Sequence, residues 1–487
     1  MISFGISLIA LIVGYLVYGK MVERLFGPDN RPTPAVSMAD GVDYVPLPTW
    51  KVYMIQFLNI AGTGPIFGAL MGAKFGPSAY LWIVFGCIFA GAVHDYLSGM
   101  LSVRHGGANL PELVGIYLGR RTRSVMLAFS VLVLMMVGVV FVYSPAEIMG
   151  QFGGSETMWV VAIFVYYIFA TMLPIDKIIG RFYPIFAFAL LFMAVALMAV
   201  LVMKWPSLPE IWDGLGNWGT THIANFKDQL FPCLFITIAC GAISGFHGTQ
   251  SPLMARCLKS EQMGRKVFYG SMITEGIVAL IWATVGMYFF YNSPQPGYEL
   301  LAGGAVKGAA TSSPAIVKIV CEGWLGIVGG IMAVLGVVAA PITSGDTAFR
   351  SARLIIAEAL KLNQKSISKR FLIAIPMFVA AIALLFWHMN NEDGFQTLWN
   401  WFGWSNQTLA VFTLWTVTVY LVQQKKNFLY TLIPALLMTT VCSTFLFVSN
   451  QAFGQWLPEN VGYAIGIAFL IVAVIWFTVW YRKFQRA

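Results

Sequence analysis

Apolar runs recur along the whole chain, and their length predicts helices that cross a membrane rather than strands or a soluble core. Thirteen such runs lie near residues 2–19, 52–72, 78–102, 124–147, 157–173, 183–203, 230–250, 267–291, 322–344, 371–388, 396–421, 428–447 and 461–480. Each is close to the roughly 20 residues a helix needs to span hydrocarbon. Two runs are interrupted. Residues 61–65 (AGTGP) break the second, and residues 241–251 (GAISGFHGTQS) break the seventh. Unwound backbone at membrane depth survives only where its N–H and C=O groups face protein, water or a ligand. Paired interruptions in corresponding halves point to the binding site of a secondary transporter. The plainer alternative is a pair of Gly/Pro kinks at helix contacts.

Composition agrees with that class. Of 487 residues, 58% are hydrophobic and 10% charged, against about 25% charged in soluble domains. The net charge of +9 does not indicate nucleic-acid binding, because no soluble domain is left to carry a basic patch. The charges report topology instead. With the N-terminus outside, every Lys and Arg falls on the cytoplasmic side except Lys74, Lys204, Lys227, Lys307 and Lys318, as the positive-inside rule requires. The chain is therefore expected to be an all-α polytopic membrane protein of about 13 transmembrane helices, N-terminus out and C-terminus in, multi-pass in a bacterial inner (plasma) membrane. The first run lacks a basic leader and a small-residue cleavage site, so it reads as a retained anchor.

Once that anchor is set aside, the second span runs inward to outward and the seventh, five helices later, runs the opposite way. Two five-helix units, 52–203 and 230–421, are thus expected to form an inverted 5+5 repeat with two broken helices, the LeuT-like arrangement. Residues 1–51 would be a peripheral helix and a cytoplasmic loop, and 422–487 two peripheral helices. There is no G-x-x-x-x-G-K-[ST], H-E-x-x-H or G-x-S-x-G, which removes a P-loop engine and the common intramembrane protease and lipase cues. The six scattered cysteines imply no disulfide framework. No enzyme activity and no cofactor are expected.

Several stretches resemble the carbon starvation protein A family of peptide and pyruvate transporters. They are Gly41-Val42-Asp43-Tyr44-Val45-Pro46, Ala61-Gly62-Thr63-Gly64-Pro65, Ala90-Gly91-Ala92-Val93-His94-Asp95, residues 235–247 (FITIACGAISGFH) and Ser405-Asn406-Gln407. The similarity implies a fold of the amino acid–polyamine–organocation superfamily, import of a peptide or pyruvate, and protons as the coupling ion. Phe349 departs from the family, which usually shows Thr before Arg350.

Candidate residues follow. The N–H groups of Gly62, Thr63 and Gly64 open a half-helix, where the dipole favours a substrate carboxylate. Ser244, Gly245, Phe246 and His247 line the second break. Ionisable groups inside spans are functional candidates: Asp95, His247 and Asp346 for proton coupling, with His94 and Glu275 also intramembrane. Adjacent on a helix, His94 and Asp95 should point about 100° apart. Sodium is the alternative ion. Its ligands would be carbonyls at Ala61 and Gly64 with the hydroxyls of Thr343 and Ser344, placed where the superfamily carries paired hydroxyls. The expected partners are a small-molecule substrate (peptide, pyruvate or amino acid) and the lipid bilayer, with no nucleic acid. A channel is the competing class. The sequence leaves the oligomeric state unspecified.

Overall fold

The computed structural model describes residues 1–150, 153–172, 175–223, 226–291, 313–362, 366–391 and 394–486. Lys307 and Lys365 fall outside these residues, as do the side chains of Lys177 and Arg181. The regular secondary structure of the described residues is all helical, with no β-strand. Eight helices are long and apolar enough to cross a membrane, or ten when two sharply bent pairs are each counted as one span. The other three predicted spans are helical but miss that standard. Glu156–Met172 has 17 residues, 230–250 is split into short pieces, and Gly394–Gln423 carries Asn400, Ser405, Asn406 and Gln407.

Both predicted interruptions are real breaks. The helix Thr49–Ile60 stops at Ala61, whose ψ of 46° is not helical, and restarts at Gly64. The two halves meet at 53°. Glycines at 62 and 64 weaken helix propagation, and Pro65 lacks the N–H that would bond the Ala61 carbonyl. The second break separates Leu230–Thr237 from Gly245–Ala255. Residues 245–251, with the candidates Gly245, Phe246 and His247 among them, therefore open the following half-helix instead of lying in the break.

The ninth predicted span differs from expectation. A bent pair, Ile316–Ile331 and Val334–Ala359, turns by 75°. The helix Ala339–Ala359 continues well past residue 344. Thr343, Ser344 and Asp346 are thus buried in its interior instead of at a helix end. Arg350 and Arg353, read from sequence as part of a cytoplasmic connection, are buried in it too. Burial of Arg350 is offset by the Ala170 carbonyl, which accepts from its Nη2 at 2.7 Å.

Charged loops gather at one end of the bundle. Arg104 bonds Glu261 at 3.1 Å and the Gly27 carbonyl at 2.7 Å. Arg265 pairs with Glu23 at 2.8 Å and Arg256 with Glu358 at 2.6 Å. Arg31 hydrogen-bonds Asp29 and pulls its carboxyl down to about 2. Met1 lies at the opposite end, its ammonium against Glu210.

Two apolar cores divide the helices. The larger draws on both broken helices, Ser78–Arg104 and Gly270–Tyr291. The second is built on Arg120–Gly150, Glu156–Met172, Ala339–Ala359 and Ile367–Met389, with Phe141, Phe164, Phe349 and Phe378 at its centre. Only 11% of the apolar window of Glu459–Arg486 is buried, so its Ile467, Phe469, Ile471 and Ile475 point outward. A face that apolar requires lipid or protein against it.

Candidate functional site

The two breaks pack against each other through glycine. On Gly64 a Cβ would overlap Cys240, on Gly68 it would meet the Thr237 carbonyl at 2.7 Å, and on Gly72 it would overlap Ile238. Gly64-x-x-x-Gly68-x-x-x-Gly72 is a small-residue seam that lets one backbone approach another. A Cβ on Gly62 would likewise meet the Phe141 ring at 2.8 Å and Ser344 Oγ at 3.2 Å. Gly62 and Gly64 thus have a packing role in the conformation described, whatever else their N–H groups do.

Beside this crossing lies a fully buried chain of ionisable side chains. Asp95, on the helix Ala92–Arg104, accepts from two imidazoles: His94 Nδ1 at 2.7 Å and His247 Nδ1 at 2.8 Å. Although the two positions diverge around the helix, the His94 ring still reaches its neighbour's carboxylate. His247 Nε2 then faces Glu275 Oε2 at 3.4 Å. Neither atom has a hydrogen-bond partner, and the other Glu275 oxygen has none either. Cys240, His247 and Glu275 bring one ligand atom each to within 4.8 Å of one another. Asp95 and His247, separate candidates in the sequence, therefore form one unit, extended by His94 and Glu275.

Asn406 closes the second break. Its Oδ1 accepts from the Phe246 N–H at 2.6 Å and from the Ser244 hydroxyl at 3.1 Å. The amide acts as the N-cap of the half-helix, although it is 160 residues away in sequence. Gly245 sits against the backbone of Asn406 and Ala410, so this half-helix and Gly394–Gln423 touch main chain to main chain. Phe246 meets Phe141 edge-on, with ring centroids 6.2 Å apart.

Asp346 belongs to a different cluster. Tyr183 Oη lies 2.7 Å from its Oδ2 and 3.0 Å from the Thr343 carbonyl, so its single proton serves one or the other. The Thr343 hydroxyl is turned back to the Ala339 and Ala340 carbonyls of its own helix. Ser344 is placed differently: its hydroxyl donates to the Leu58 carbonyl at 3.0 Å, next to the first break. Ala61 ends that helix, its N–H bonded to Phe57. Thr63 is buried, and its hydroxyl has no partner.

Gln56 and Asn59 were missed in the sequence. Both are fully buried in Thr49–Ile60, and none of their side-chain oxygens or nitrogens has a hydrogen-bond partner. Spaced three apart, they share a helix face leading to the break. Two amides inside an apolar span were the available signal. On the Met1 side, a cavity of about 50 Å³ is lined by Lys74, Asp228, Thr237, Trp399, Asn400 and Gly403, among others. Burial raises the Asp228 carboxyl above its ordinary range, with Lys74 opposing.

The comparisons with known proteins can be set beside this geometry. The family model for carbon starvation protein CstA matches residues 1–149, 142–311 and 299–445. An uncharacterized membrane protein of Haemophilus influenzae is 45% identical, covering 62% of this chain and 95% of its own length. A peptide transporter CstA of Bacillus subtilis is 25% identical over 97% of this chain and 94% of its own. The pyruvate/proton symporter BtsT of Escherichia coli is 27% identical over 60% of this chain and 50% of its own. Among solved structures, a manganese transporter of Eremococcus coleocola superposes with a TM-score of 0.58 at 14% identity, covering 92% of this chain and 99% of that one. A Na⁺-coupled sialic acid symporter gives 0.50 at 14% identity, covering 96% of each. These likenesses establish a transporter fold. The protein is a multi-pass membrane protein and belongs to the carbon starvation protein CstA family.

Proposed function

We propose that the chain is a secondary active importer of a small carboxylate-bearing nutrient, a peptide or pyruvate, coupled to protons and working by alternating access. Thirteen crossings in a bacterial inner membrane, N-terminus out and C-terminus in, complete this reading, with 52–203 and 230–421 as inverted units. In favour of the repeat, helices five apart in the core order fall into the same apolar core. Arg120–Gly150 and Ala339–Ala359 share one, and the two broken helices share the other. Membership of the superfamily that the sequence resembles belongs to the same proposal.

The His247–Glu275 contact carries the coupling. With Nδ1–H given to Asp95, a neutral His247 turns a bare Nε2 lone pair toward Glu275. An ionised carboxylate there would also present a lone pair, so the contact becomes favourable when one of the two holds a proton. Loading that proton changes the charge beside the second break. A ligand shifts a conformational equilibrium only through such differential interaction. The substrate carboxylate is assigned to the N–H groups of Gly62, Thr63 and Gly64. The unpartnered Gln56, Asn59 and Thr63 side chains flank it, and Ser244, Gly245, Phe246 and His247 lie across from it. The peptide and pyruvate transport named for the relatives supports this substrate class. Sodium is the second reading, favoured by Ser344 Oγ against the first break.

The test is uptake of labelled pyruvate and peptides into proteoliposomes under an imposed proton or sodium gradient. Wild type should accumulate substrate only with the proton gradient, while His247→Ala and Glu275→Gln should retain exchange without accumulation. Sodium-driven uptake that is lost in Thr343→Ala or Ser344→Ala would overturn the choice of ion. Flux that never saturates and never runs uphill would make the protein a channel.

A further inference from the structure

We propose that Cys240, His247 and Glu275 form a binding site for a divalent transition ion of the zinc class, and that its occupancy locks the second break. The three donors are a sulfur, an imidazole nitrogen and a carboxylate oxygen, all buried and mutually within 4.8 Å. Tetrahedral zinc, with bonds of about 2.0–2.3 Å, places its ligands roughly 3.3–3.8 Å apart, so a closure of about 1 Å completes the geometry. A thiolate beside an imidazole selects Zn²⁺ or Co²⁺ over Mg²⁺, Ca²⁺ or Mn²⁺, which prefer oxygen.

Two independent features point to a cation. First, His247 Nε2 and both oxygens of Glu275 are fully buried and make no hydrogen bond, Nε2 and Oε2 facing each other at 3.4 Å. Each such atom is costly in an apolar interior unless something binds it. Second, His247 is already oriented as a metal ligand. Asp95 accepts from its Nδ1 at 2.8 Å and His94 steadies Asp95 at 2.7 Å, which commits Nδ1 to Asp95 and leaves Nε2 as the atom that a metal would take. A carboxylate–histidine pair of this kind is the usual support behind a metal-bound imidazole. Asn406 Nδ2 and Ser244 Oγ lie 3.9 Å and 3.6 Å from Cys240 Sγ, so the sulfur has only weak polar company. One tetrahedral position remains for water.

The consequence is mechanical. Cys240 precedes the helix start at Gly245, and His247 follows it. Glu275 belongs to the neighbouring helix Gly270–Tyr291. One ion would staple the unwound segment and the half-helix that follows it to that helix and displace the proton between His247 and Glu275. This second step rests on the transport reading, whereas the binding step does not.

The experiment uses the purified full-length protein, stripped with chelator and titrated with Co²⁺. Wild type should take up one equivalent, with visible ligand-field bands and a near-ultraviolet thiolate-to-cobalt band that Zn²⁺ abolishes. Cys240→Ser should lose the thiolate band, Glu275→Gln should weaken binding, and Asp95→Asn should weaken it by about 10- to 100-fold. Cys442→Ser, a buried thiol on the separate helix Leu429–Val448, should leave the spectrum unchanged and controls for folding. A wild-type spectrum without the thiolate band, or Co²⁺ binding unaltered in both Cys240→Ser and Glu275→Gln, overturns the site. In proteoliposomes, Zn²⁺ admitted to both faces should arrest wild-type uptake and spare Cys240→Ser. A correct cobalt spectrum with no inhibition overturns the locking step alone. A correct spectrum in a protein that shows no uptake without metal leaves the site standing and removes the transport reading.

Discussion

At the residue scale, Asp95 is the hinge of the ionisable chain, because both imidazoles depend on it. Asp95→Asn keeps the volume but offers one acceptor oxygen in place of two, so one imidazole loses its partner. Proton-driven accumulation should fall to background while substrate exchange persists, measured as uphill uptake against counterflow in the same vesicles. His94→Ala removes only one of the two bonds and should cost far less. Asn406→Leu tests the cap: it strands the Phe246 N–H and the Ser244 hydroxyl, at about 1–3 kcal/mol for a buried unsatisfied group. Thermal unfolding in detergent should shift downward, whereas Asn406→Asp, which keeps the acceptor, should shift it less. Asp95, His247, Glu275 and Asp346 were visible in the sequence because an ionisable group at membrane depth is itself a signal. Which of them meet was not visible. Asp95 and His247 are 152 positions apart, and Asp346 is drawn to Tyr183 instead. The His94 ring reaches its neighbour through side-chain torsions that helical spacing does not encode.

At the element scale, the breaks were legible because Gly and Pro oppose helix propagation wherever they fall. Their packing was not. The seam Gly64, Gly68, Gly72 against Thr237, Ile238 and Cys240 joins segments with no local sequence link. The same limit explains the ninth span: hydropathy falls at Ser344-Gly345-Asp346, but the helix continues because Tyr183 and the Ala170 carbonyl receive its polar groups. The seam makes steric substitutions in the first break ambiguous as tests of binding. Gly64→Val drives a side chain into Cys240, and loss of monodisperse protein is expected along with loss of binding. Pairing Gly64→Ala with Cys240→Gly separates the two. If packing is the cause, the double variant should recover most of the thermal stability lost by Gly64→Ala, a coupling of the size seen for residues in contact. If Gly64 serves only substrate, the two losses should add.

At the scale of the whole molecule, ion pairs tie together the segments at the basic end, and a small cavity lies toward the Met1 end. Glu261 is central to that junction. Its fully buried carboxylate accepts from Arg104 at 3.1 Å and from the Asp29 N–H at 3.0 Å, with Arg31 at 3.8 Å. It joins the 27–31 loop and the stretch at 261 to the end of the helix Ala92–Arg104, so breaking this junction should loosen the end without touching either break. Glu261→Gln keeps the shape and removes the charge. Ser98, buried on Ala92–Arg104 between Asp95 and Arg104, supplies the reporter. All six native cysteines are buried, so a Ser98→Cys protein has a low labelling background. In the proposed orientation the basic end faces the cytoplasm. A membrane-impermeant thiol reagent should then label Ser98→Cys slowly from the cytoplasmic face of inverted vesicles, and faster once Glu261→Gln is added. It should not label it from outside intact cells in either background. Labelling from outside would reverse the orientation, and an unchanged cytoplasmic rate would mean that the Glu261 junction holds loops together without gating access to Asp95 and His247.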